Sequence, residues 1–220
     1  MIISQNSITA AAHADRVTLV IEIWKVNIMN IKDIRLKYYC HVDNEPVRSI
    51  TQLSEKDALA LAIKHRDENP CNAHSRFGSM LTFEKNFIDY YNHRRNVEKS
   101  LYERFAFLGG KPQILNPYYF FVHDLSWLMN IINDEINAGI AKIIEVSLKD
   151  IDIFDISFVL GDSLLMNSGN NDSLFLKDTL MKSIASHDGF ENYFNSIKPK
   201  YPFIEAQLWT DKYNHLFNNQ

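Results

Sequence analysis

From Thr82 to Leu108 the chain carries an apolar stripe: Phe83, Phe87, Tyr90, Val97, Leu101, Phe105 and Leu108, spaced by three, four or their sum. That period belongs to a helix with one buried face. Gly109-Gly110 follow where a left-handed C-cap would stop it. Most of such a helix's stability comes from packing its apolar face, so the rest of the chain must supply an apolar surface. Runs rich in β-branched and aromatic residues can do so. Residues 17–27, 34–42, "NPYYFFVH" (116–123), "AKIIEVS", "ISFVLG" and the strand opened by "YPFIEAQLW" (201–209) read as strands. A second helix opens at "LSEKDALALAIKHRDENP", with Ser54 as N-cap and Asp57 as its capping partner. Shorter helices are expected after Asp124, over 175–185 and over 188–197, with a polar tail at 210–220. This order of elements gives an α+β domain.

The 220 residues are 46% hydrophobic and 23% charged, enough for one domain with a substantial core. No linker or internal repeat divides them. Met29 sets off residues 1–30 as an N-terminal extension whose attachment the sequence leaves undecided, ahead of a single domain over 31–220. The net charge of −4 argues against a non-specific nucleic-acid coat but leaves room for a local basic groove. Cys40 and Cys71 are too few for a disulfide framework or a four-thiolate zinc site. With no secretory signal and no apolar run of membrane-spanning length, the expected compartment is the cytoplasm, with no membrane partner.

Strand alternation in 203–209 puts Ile204, Ala206 and Leu208 on one face and Phe203, Glu205, Gln207 and Trp209 on the other. A carboxylate turned inward between aromatics is desolvated unless a cation, donors or a ligand meets it. An aromatic-lined cleft suits a flat heterocycle; an exposed strand face or a salt bridge to a lysine is the structural alternative. Arg94 falls on the apolar stripe of the long helix. Either it snorkels or pairs with Glu98 one turn on, or it offers a fork of donors to a phosphate. Arg95 points about a quarter turn away and is the weaker candidate. His41, Asp43 and Asn44 end a strand, where ligand groups collect, although Asp-Asn before Pro46 also builds a turn. The remaining histidines show no metal-ligand spacing, so no metal is expected. Ser163 in "GDS" lacks the G-x-S-x-G elbow. Phosphate loops of the Walker and G-x-G-x-x-G kinds are absent from the sequence.

Three separated stretches, in order, resemble the DarT-type ADP-ribosyltransferases. They are "HVDNEPVRSI" (41–50), "NPYYFFVHDLSWLM" (116–129), and the pair "FVLGDS" and "FIEAQLW". Trp127 stands where the family has a proline, and the family's arginine matches Arg94 or Arg95 by spacing only. The resemblance implies an ADP-ribosyltransferase-like fold of split mixed or antiparallel β-sheets with flanking helices. It also implies transfer of ADP-ribose from NAD⁺ to a base of single-stranded DNA, by a toxin or defence effector countered by a cognate antitoxin.

On that footing NAD⁺ is a substrate, and the acceptor is DNA, RNA, protein or water. Glu205 would stabilise the cationic ribose, while Gln207 and Trp209 would lie beside the substrate. His41 and Asn44 would hold the nicotinamide-ribose end, Tyr118 or Tyr119 would stack on the nicotinamide, and Arg94 would meet the pyrophosphate or assist proton transfer. Two alternatives stay open. One is a non-catalytic binding or immunity-type protein in which Glu205 and Arg94 form a structural ion pair. The other is an NAD glycohydrolase that uses water in the same cleft.

Overall fold

The computed structural model describes residues 34–42, 46–68, 84–122, 133–134, 136–139, 141–165 and 174–217. Within them six strands join in the order β3-β1-β2-β6-β4-β5. They are β1 (Arg35–His41), β2 (Tyr118–Val122), β3 (Ala141–Ser147), β4 (Ile156–Leu160), β5 (Leu174–Leu176) and β6 (Ile204–Leu208). Every neighbouring pair is antiparallel. Together with α1 (Glu55–Glu68), α2 (Glu84–Phe107), α3 (Lys177–Ser186) and α4 (Phe190–Ile197), they make the α+β architecture expected from the order of elements. The halves β3-β1-β2 and β6-β4-β5 are not separated. The β2–β6 ladder, from Tyr118 opposite Leu208 to Val122 opposite Ile204, makes the sheet continuous. The extension at 1–30, the strand expected over 17–27, Asn44, Cys71 and Asp124 lie outside the described residues.

β6 lies between β2 and β4, and both its faces are covered. Ile204, Ala206 and Leu208 enter a core with Leu36, Phe120, Ile156 and Phe158 from the sheet and Leu180, Ile184 and Phe194 from α3 and α4. The other face meets α2, whose Val97, Leu101 and Phe105 pack with Val159 and Trp209. Trp209 stacks on Phe105 at 5.8 Å and takes the edge of Tyr102 at 6.0 Å between ring centroids. The stripe of α2 therefore does what its period requires: it hides apolar side chains against the sheet.

Local chemistry accounts for the helix ends. Ser54 Oγ accepts the Asp57 backbone N–H at 3.2 Å and donates to the Asp57 carboxylate at 2.7 Å. At the C-terminus of α2, Gly110 N–H donates to Phe105 O at 2.9 Å and Gly109 N–H to Ala106 O at 3.0 Å, with Gly109 at φ 98°. That double bond pattern is a Schellman stop.

Two expectations are corrected. The helix expected from residue 175 starts at Lys177, because Leu174–Leu176 pairs with β4 as an edge strand. The segment read as a polar tail folds back: Tyr213 and Phe217 are buried in the main core, and Phe217 meets Tyr118 edge-on at 5.4 Å. Tyr213 and Phe217, four residues apart, cover the sheet there with Leu216 packed beside them, although most of the segment around them is polar. Among the described residues no helix is long and apolar enough to cross a membrane.

Candidate active site

Glu205 is the second residue of β6 and is 2% exposed. Its neighbours on the same strand face and on the strand beside it form a chain of donors. Gln207 Nε2 donates to Glu205 Oε1 at 3.0 Å, Ser157 Oγ of β4 donates to Gln207 Oε1 at 2.9 Å, and Trp209 Nε1 donates to Ser157 Oγ at 2.8 Å. Register explains the contact, since Ser157 lies opposite Gln207. Phe203 begins the same face and meets Phe121 edge-on at 5.4 Å. Glu205 thus lies near aromatics, as its strand pattern required.

β2 separates the two tyrosines by alternation. Tyr119 lies opposite Gln207 and on the Glu205 side. Tyr118 faces the other way and donates from its hydroxyl to Asp211 Oδ1 at 2.8 Å, beside Arg48, whose Nε donates to the same oxygen at 2.8 Å. Of the pair, only Tyr119 reaches this site.

From α2 comes Arg94, 5% exposed, while Arg95 is exposed. Arg94 is therefore the arginine that reaches the sheet. Its guanidinium carbon lies 3.9 Å from the centroid of the Tyr119 ring, and Nη1 donates to Ser163 Oγ at 3.1 Å. Nε is 3.5 Å from Glu98 Oε1, the i,i+4 partner that the sequence offered. Ser163 follows β4 through Gly161, whose φ of 78° turns the chain back over the sheet. Ser163 also lies close enough to Glu205 to favour its charged form, so it stands near both the acid and the arginine.

Glu98, 1% exposed, gathers the rest. Its Oε1 accepts from the Tyr119 hydroxyl at 3.2 Å, and its Oε2 accepts from Asn116 Nδ2 at 3.2 Å and from the Thr51 hydroxyl. Arg94 thus lies between two buried carboxylates, paired with Glu98 at 3.5 Å and acting on Glu205 by charge. Burial pushes the Glu205 carboxyl above the ordinary glutamate range, against the pull of Arg94 and the donors from Ser163 and Gln207. For Arg94, burial works to lower the pKa, but the carboxylates of Glu205 and Glu98 beside it outweigh that and keep the guanidinium charged. Burial raises the Tyr119 phenol well above its usual value, so it acts as a neutral donor.

The geometry brings together Glu205, Gln207, Arg94 and Tyr119. Trp209 is fully buried and reaches the group through Ser157, with its ring packed in the core. His41 ends β1, which β2 alone separates from β6, two inter-strand steps or roughly 10 Å. Its side chain, like all of Asn44, lies outside the described residues. Ser157, Thr51 and Asn116 are members that the sequence did not single out, and Ser163 was weighed there only as a nucleophile. The one signal was a polar serine at the alternate position of an otherwise apolar "ISFVL". Among the described residues no group of three His, Cys, Asp or Glu is arranged to hold a metal ion.

Fold and site together define an α+β protein with a buried carboxylate–guanidinium centre on the middle of its sheet. No family model matches the chain, and no curated protein or solved structure matches it.

Proposed function

We propose that the chain is an NAD-dependent ADP-ribosyltransferase, a toxin or defence effector of the bacterial kind that modifies a nucleic-acid base. The observation that carries this reading is the approach of the buried Arg94 guanidinium, bonded to Ser163, to the buried Glu205 carboxyl. Their charges act on each other from elements far apart in the sequence. That approach brings residues of two of the resembling stretches, Tyr119 of 116–129 and Ser163 and Glu205 of the late pair, to one centre. In the reaction the bond between nicotinamide and the ribose C1 breaks, and nicotinamide leaves as a neutral base. Positive charge grows on the ribose until a base nitrogen attacks C1 and then releases its proton. An anionic carboxylate fixed in a dry site stabilises that charge more than water would. Glu205 takes this role, and the surplus of carboxylates over guanidinium around Arg94 favours a cationic transition state. Gln207, on the same face, holds a ribose hydroxyl or the acceptor base. Tyr119, which carries Arg94 over its ring, is the stacking aromatic.

The near-complete burial of Glu205 favours a second reading, a binding protein in which the same cluster is a structural polar core. Labelled NAD⁺ separates the two. The intact chain should transfer label to a member of a panel of single-stranded DNA, RNA and protein. Glu205→Gln should cut that by at least roughly 100-fold without lowering the melting temperature. Nicotinamide release with water as the acceptor would identify a glycohydrolase. No label and no release would leave the structural core.

A further inference from the structure

The donor chain on β6 has a direction that its chemistry alone fixes. An indole N–H only donates, so Ser157 Oγ must accept from Trp209. The one serine proton is then committed to Gln207 Oε1, and the Gln207 amide has only its N–H₂ left for Glu205. With Glu205 ionised, reversing the amide would set its oxygen against the Glu205 oxygen and leave the serine proton without an acceptor. Ser157, Gln207 and Trp209 are each 0% exposed, so the direction is set inside the protein.

We propose that Ser157 is a positioning residue: it locks the Gln207 amide with its donor toward Glu205 and thereby sets the ionisation of that carboxylate. This rests on the reading of Glu205 as the acid that faces the ribose. A fixed donor favours the charged carboxylate, and acceptance at Oε1 steers the acid's proton, when present, to Oε2. The relay thus supplies one of the two serine-dependent donors that oppose the cost of burial, the other coming from Ser163. Ser157 itself need touch no substrate.

The test is a ¹³C carboxyl titration of Glu205 in the full chain, assigned with Glu205→Gln. Ser157→Ala should raise the Glu205 pKa by roughly one pH unit, and Trp209→Phe should raise it in the same direction by less. Arg94 from α2, Tyr119 from β2 and Asp162 after β4 also act on Glu205, with Glu98 as the ion-pair partner of Arg94, and both variants leave them in place. If Ser157→Ala does not fold, Trp209→Phe carries the test alone. An unchanged Glu205 titration in the folded variants overturns the relay, whether or not the chain consumes NAD⁺. A shifted titration in a protein that never consumes NAD⁺ supports the relay and overturns the enzyme reading instead. Where NAD⁺ is consumed, the acidic limb of the kcat profile should move with the titration.

Discussion

Arg94 holds two buried acids, and that arithmetic decides what substitutions there do. Removing the guanidinium strands Glu98 and Glu205, 1% and 2% exposed, with hydrogen bonds but without the positive charge beside them. Breaking one side of a buried pair costs about 3–5 kcal/mol. Arg94→Ala should therefore lose stability of that order, measured by urea unfolding at neutral pH. Glu205→Gln acts in the opposite sense. It keeps the shape, leaves Glu98 as the sole carboxylate for Arg94, and removes a carboxyl that burial has raised above its ordinary pKa. The sign follows from proton linkage. A group whose folded pKa is raised contributes fully below its unfolded value, and the contribution is lost as pH rises through the folded value. Wild-type stability should consequently fall, relative to Glu205→Gln, from the ordinary glutamate range upward through the raised pKa. Urea midpoints at a series of pH values give both curves, and parallel curves would mean that Glu205 is not desolvated.

The end of α2 is the element on which the site's geometry depends, because Phe105 in its last turn stacks on Trp209. A Cβ at Gly110 would lie 2.3 Å from the Phe105 ring. That ring is wholly buried and cannot swing away without displacing the indole. Gly110→Ala should cost about 1–3 kcal/mol as overpacking. Gly109→Ala meets open space but keeps a φ of +98°, a backbone penalty of roughly 1 kcal/mol. Near-UV circular dichroism should distinguish the pair, changing for Gly110→Ala and staying near wild type for Gly109→Ala. Both glycines were legible as a helix stop, as were the stripe of α2 and the Ser54 cap, because each is written in neighbouring residues. β5 was not, since three residues are too few to show a period of two. Ser163 was not either: its partner Arg94 lies 69 residues away, and only the turn at Gly161 brings them together.

Burial on both faces makes β6 the strand around which the whole molecule closes, and the segment after it completes the closure. Arg48 and Tyr118 both bond Asp211, tying the chain before α1 and β2 to the residues that follow β6. Burial alone would raise the Asp211 carboxyl, but those donors outweigh it and hold it below the ordinary aspartate range. Beyond that clasp, the Tyr213 hydroxyl donates to Asp155 Oδ2 at 2.8 Å and accepts from the Asp152 backbone N–H at 2.8 Å. Phe217 covers Phe120 at 5.7 Å and Tyr118 at 5.4 Å between centroids. Fully burying a large apolar side chain is worth roughly 1.5–3 kcal/mol, so the two aromatics together carry a large part of a typical domain's net stability. A chain ended at Thr210 should therefore lose its cooperative thermal transition or melt well below the full chain, while one ended at Phe217 should melt with it. Equal melting temperatures for all three would show that the segment is an ornament on a sheet already closed without it, and that the core seen around Phe120 does not need its outer wall.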